Sequence, residues 1–200
     1  MKHLKKQPLA MLLALVIVLG GTFIGLNRSL GAEMQQAADQ FHNGVFDPVQ
    51  NRVLPSIFGQ LEQRATASLR ILSIGEHSHA EDHARDDNLN LAAKDLREAR
   101  QTLITLFTSG SPRDLFAADQ ALELAAARYY ALLHPLVRSA EGDDLQTLEA
   151  AYSTMQSAAR VISESGYNEA IREFHGTVLG RFPTNFLMIF VFTDPPELFS

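Results

Sequence analysis

The sequence predicts an all-α protein: an N-terminal transmembrane helix followed by an elongated antiparallel helical bundle. Three observations carry the prediction. Residues 7–27 form an unbroken run of 21 uncharged residues between Lys6 and Arg28. After residue 27 no stretch sustains the two-residue alternation of a half-buried strand, whereas several repeat apolar residues at intervals of three and four. Cysteine is absent from the 200 residues, which removes disulfides, thiolate metal sites and cysteine catalysis together.

The apolar core of the first element, residues 9–26, is 18 residues long. At 1.5 Å per residue it reaches about 27 Å, close to the hydrocarbon thickness of a bilayer. Lipid offers backbone groups no hydrogen-bond partner, so the segment must be helical there. Lys2, Lys5 and Lys6 precede it and only Arg28 follows closely. That asymmetry makes residues 1–8 a short cytoplasmic tail and residues 27–200 an extracytoplasmic domain of a single-pass protein in the cell membrane. The competing reading is a cleaved signal peptide, with Ser29, Leu30 and Gly31 ahead of Ala32 as the cleavage region. The apolar run is longer than a usual signal-peptide core, which favours the anchor. Gly21 and Gly25 have the spacing of a helix-dimerisation face.

Residues 28–42 are polar with Leu30, Met34, Ala37, Ala38 and Phe41 on one stripe, and Asn43-Gly44 ends that helix. Asp47-Pro48 reads as an N-cap with proline at the first helical position. Val49, Val53, Ile57, Leu61, Ala65, Leu69 and Leu72 continue that stripe, kinked or briefly broken near residues 52–54 by Pro55. Residues 73–88 read as a polar linker. Leu89, Ala92, Leu96, Ala99, Leu103 and Leu106 then keep a heptad rhythm. Residues 108–110 stop that helix and Ser111-Pro112 starts the next, with Leu115, Leu122, Ala126, Tyr129, Leu133 and Leu136 on its inner face. Pro135 bends its last turn, and Gly142 closes it. The last helix, with Leu145, Leu148, Tyr152, Met155, Ala159 and Ile162 and then Tyr167, Ile171, Phe174, Val178 and Phe182, is expected to run from 144 to 181. Residues 186–192 are seven apolar residues in a row, too short to span a bilayer. They are expected to pack back on the bundle, with contact to lipid or a partner as the alternative.

The stretch from Tyr167-Asn168 through Phe174-His175, then Phe182-Pro183 and a closing Pro196-Glu197-Leu198-Phe199, resembles the signature end of LemA family proteins. Residues 51–57, Ala99-Arg100 and the anchor are similar in order and placement. Departures mark a divergent member: His175 stands where the family usually has Asn, Ser56 replaces the Asn after Pro55, and Gln156-Ser157-Ala158-Ala159-Arg160 replaces a Glu-Asn/Asp-Arg stretch. The resemblance implies an anchored, external antiparallel bundle and no defined catalytic set. Tyr167, Asn168 and Pro183 then read as structural: a ring packed between helices, an amide bonded across the bundle, and a helix stop.

One polar cluster stands apart. His77, His79 and His83, with Glu76, Glu81 or Asp87 as an oxygen ligand, have residue types that suit zinc. Ala80 occupies the place of the catalytic Glu of a His-Glu-x-x-His protease, so that enzyme class is excluded. The bland reading is an exposed linker; a pH sensor is the alternative, because histidine titrates near neutrality. No hydrolase elbow and no phosphate-binding glycine loop appears. Thirteen Arg and Lys94 beyond the anchor are interspersed among 23 acidic residues, giving a salt-bridged surface and no nucleic-acid face. The expected protein is therefore not an enzyme, has no catalytic, cofactor-binding or metal residues and no cofactor, and binds no nucleotide. It acts as a scaffold or interaction protein with a protein partner or itself. An envelope sensor built on His77, His79 and His83 and an accessory subunit of a membrane protease or envelope enzyme are the alternatives.

Overall fold

The computed structural model describes residues 39–47, 51–78, 87–139, 143–179 and 197–200, with positions 21, 25, 28, 32, 35 and 36. The chain divides into two compact units, one of residues 1–39 and 170–196, the other of residues 40–169 and 197–200. In the first unit, the described positions up to residue 39 are helical, and Gly21 and Gly25 are exposed. No described helix is long and apolar enough to cross a membrane. Residues 9–20 and most of 21–26 lie outside the described residues, as do Pro183 and the run 186–192.

The second unit is a four-helix bundle. Its helices are α1 (Ile57–Ser78), α2 (Asp87–Leu106), α3 (Pro112–Ser139) and α4 (Asp144–Ser163), and the short α5 (Tyr167–Phe174) begins in it. Helix α1 packs chiefly on α4, and α2 chiefly on α3, with α1 also touching α2 and α3. The core rows are Leu61, Ile71 and Leu72 on α1, Leu89, Leu96 and Leu103 on α2, Leu115, Leu122 and Leu133 on α3, and Leu148 and Met155 on α4. These are the stripes that a 3.6-residue period requires of helices buried on one side.

The helix boundaries follow local chemistry. Gly44, at φ +77°, ends the preceding helix through its N–H to the Gln40 carbonyl at 3.1 Å. Ser111 and Asp114 form a reciprocal cap at the start of α3: the Asp114 N–H donates to Ser111 Oγ at 3.2 Å and the Ser111 N–H to Asp114 Oδ2 at 3.2 Å. Two helix ends are thereby satisfied as their sequences predict. Pro135 lies inside α3, which continues to Ser139. The carbonyl deprived of its donor belongs to Ala131, which is exposed, so the lost bond leaves no buried acceptor.

Three expectations are corrected. The expected helix start at Asp47 is a strand end: Val45–Asp47 and Arg52–Leu54 pair antiparallel, Val45 opposite Leu54. Asn51 takes φ +48° in their turn, and Val53 is 63 % exposed. The N-cap of α1 is Ser56, whose Oγ accepts from the Gly59 N–H at 2.9 Å. Pro55 lies just ahead of that cap, where its missing N–H disrupts no helical bond. Second, residues 73–78 continue α1 because Ile74 and Gly75 are buried. Third, the helix expected over 144–181 breaks: Gly166 at φ +70° follows the end of α4, and α5 passes into a π turn at His175–Leu179. The apolar rhythm runs straight across that break, which is why periodicity alone conceals it.

Candidate functional site

The charged centre of the bundle was not anticipated from the sequence. Arg64 on α1 is 2 % exposed and Asp119 on α3 is 3 % exposed. Arg64 Nε approaches Asp119 Oδ1 at 2.9 Å, and Arg64 Nη2 donates to Glu123 Oε2 at 3.1 Å. The first approach is a charge contact without hydrogen-bond alignment, so neither Arg64 Nε nor Asp119 Oδ1 has a hydrogen-bond partner. Burial pushes the Asp119 carboxyl up to about 6 against the lowering effect of Arg64, and Glu123 adds to the rise. Desolvation outweighs the ion pair at this carboxylate.

Arg64, Asp119 and Glu123 form part of the wall of a cavity of about 390 Å³. Its apolar wall includes Ile57, Phe116, Ile162 and Phe199, and Asn168 and Glu169 from the start of α5 complete it. The sequence segment closing this end is 197–200. Asn168 holds it as a backbone strand would: Asn168 Nδ2 donates to the Phe199 carbonyl at 2.8 Å and the Phe199 N–H donates to Asn168 Oδ1 at 2.8 Å. Tyr167 Oη donates to the Glu197 carbonyl at 2.9 Å, and burial, with Glu197 nearby, pushes that phenol up to about 12. It therefore stays a donor across the physiological range. The clamped Phe199 ring is 4 % exposed and packs on Phe41 and, edge-on at 5.2 Å, on Phe116. Asn168 thus bonds to the 197–200 segment and not, as expected, across the bundle.

A ladder of rings continues from Phe41 through His42 and Phe58 to Phe107, with centroids 5.3, 5.1 and 4.9 Å apart. Toward the far ends of α1 and α3, Gly75 lies against Tyr129. Near there Tyr130 stacks on Tyr152 at 4.0 Å, and His134 Nε2 is 3.2 Å from Glu149 Oε1.

The polar cluster read from the sequence is only partly described. His77 is exposed, its Nδ1 2.7 Å from the Ser73 carbonyl, and Glu76 is paired with Arg97 at 2.6 Å. Asp87 opens α2, while His79, Glu81 and His83 lie outside the described residues. Among the described residues no group of three metal-ligating side chains converges.

One signal of the buried centre was present in the sequence. The inner stripe of α3 steps by three and four except for a seven-residue gap between Leu115 and Leu122, and Asp119 stands in that gap. Arg64 similarly lies three residues after Leu61 and four before Ser68 on the buried face of α1. No family model, no curated protein and no solved structure matches the chain.

Proposed function

We propose that the chain is a membrane-anchored, LemA-like helical protein that serves as a non-enzymatic scaffold or interaction protein, presenting its bundle outside the cytoplasm. The observation that supports the non-enzymatic reading is the commitment of the buried guanidinium to two carboxylates of a second helix. Arginine stays charged throughout the working pH range, so Arg64 joins α1 to α3 and supplies no proton to a reaction. The Tyr167-Asn168 pair is likewise occupied with the 197–200 segment. The anchor rests on the uncharged run 7–27 and the three lysines before it.

The test is photo-crosslinking in native membranes from position 164, which is exposed at the end of α4. Specific adducts with one protein identify an adaptor and separate it from a protease accessory by the partner's identity. Adducts only between copies identify a homo-oligomeric scaffold. Recovery of the chain in the soluble fraction, or an intrinsic activity abolished by one polar substitution, overturns the reading.

A further inference from the structure

We propose that the cavity beside Arg64 and Asp119 binds a small organic ammonium ion carrying an apolar body. The wall carries three carboxylates, Asp119, Glu123 and Glu169, against one guanidinium. A cavity of about 390 Å³ lies within the range of small-ligand sites. Such sites combine apolar walls with a few placed polar groups, and both are present here.

The sign of the ligand follows from what the guanidinium leaves undone. Arg64 reaches Asp119 through Nε without hydrogen-bond alignment and spends Nη2 on Glu123. Asp119 Oδ1 is left buried without a hydrogen-bond partner, and burial raises the carboxyl toward neutrality although Arg64 acts to lower it. A second cation in the cavity supplies further positive charge, with Glu123 (36 % exposed) as the accessible carboxylate and Asp119 behind it. An anion would meet the opposite field. Phe116 and Phe199, at right angles with centroids 5.2 Å apart, accommodate the apolar body, and aromatic rings attract ammonium groups. Because Phe199 is held by Asn168, the clamp also forms one wall of the site.

The experiment is calorimetric titration of the full-length chain with phenethylammonium, beside its neutral analogue phenethyl alcohol and the anion 3-phenylpropionate. The expected result is saturable 1:1 binding of the cation alone, weakened at least tenfold by Asp119→Asn and at least fivefold by Glu123→Gln. Glu149→Gln, which removes the same charge beside His134, should leave the affinity unchanged. Absence of saturable heat overturns the proposal. So does equal binding of the alcohol or the anion, which would mean an apolar or an anion cavity. An equal loss in Glu149→Gln would mean diffuse attraction to an acidic chain and overturns it too. Should Asp119→Asn lose its helical circular dichroism, folded Glu123→Gln decides, and unchanged affinity there ends the idea.

Discussion

The two ends of the helical bundle are closed by opposite means. Toward the far ends of α1 and α3, Gly75 lets the Tyr129 ring come against the α1 backbone, and Leu133 fills the space beside it. Toward the other, the Arg64 guanidinium and the Asp119 carboxylate occupy the interior with Glu123 at its exposed edge, a cavity remains, and residues 197–200 are clamped beside it. Close packing of rigid groups leaves no room for change, because interiors are packed near crystal density. A buried ionic centre contributes little net stability, since desolvation offsets its Coulomb attraction. The difference separates what keeps the bundle folded from what leaves it open to a ligand.

The largest expected effect belongs to the ionic end. Burial pushes Asp119 in the folded protein up to about 6 from its ordinary value of 3.8. The folded protein therefore keeps a proton that the unfolded chain releases, and stability from this group is fully present below the unfolded value. It is lost as pH rises through about 6, a change of about 3 kcal/mol in total. Chemical denaturation of wild type and Asp119→Asn across pH 2–7 isolates the term, because the other carboxylates cancel in the difference. The variant should gain on wild type by that amount as pH rises. A difference that stays flat with pH would show that Arg64 fully compensates the buried charge, and the contrast between the two ends would fail.

Next in size is Gly75→Ala at the tightly packed end. A Cβ at this position would overlap the Tyr129 hydroxyl oxygen and crowd its ring carbon, and Tyr129 is 3 % exposed, so the ring has little space into which to move. Overpacking of this kind should destabilise by about 2 kcal/mol, read from the urea midpoint. Tyr129→Phe removes the overlapping oxygen, and combined with Gly75→Ala it should recover much of the loss. A neutral Gly75→Ala would mean that this end is loosely packed.

The same contrast explains what could be read from the sequence. Helices α2 and α3 and most of α4 are announced by apolar rhythm, and the start of α3 by Ser111-Pro112, because both signals are local to the chain. Leu69 shows the limit of such reading. Four-residue steps drift by about 40° each around a helix, so the row Ile57, Leu61, Ala65 leaves the core by Leu69, which is 46 % exposed, while Ser68 is buried. The paired strands at 45–47 and 52–54 are too short for alternation to register. The ionic centre joins residues 55 positions apart, and nothing local to Arg64 names Asp119 as its partner. A charged residue in an apolar row is nonetheless a visible anomaly. The clamp was legible only as a Tyr-Asn pair of structural type; its target, 31 residues away, was not.

That clamp gives the smallest and most discriminating prediction. Asn168→Ala removes two hydrogen bonds to the Phe199 backbone while leaving the Tyr167–Glu197 bond in place. Intramolecular hydrogen bonds contribute about 1 kcal/mol each, so the loss should be about 1–2 kcal/mol. Its location matters more than its size. Hydrogen exchange should rise at the Phe199 amide, which loses its acceptor Asn168 Oδ1, while amides around Gly75 keep wild-type protection. Such a pattern would make the cavity end a separately opening element held by one side chain. Equal loss of protection at both ends would show that residues 197–200 are part of a single cooperative unit, in which the ionic end is as tightly coupled to the fold as the end built on Gly75.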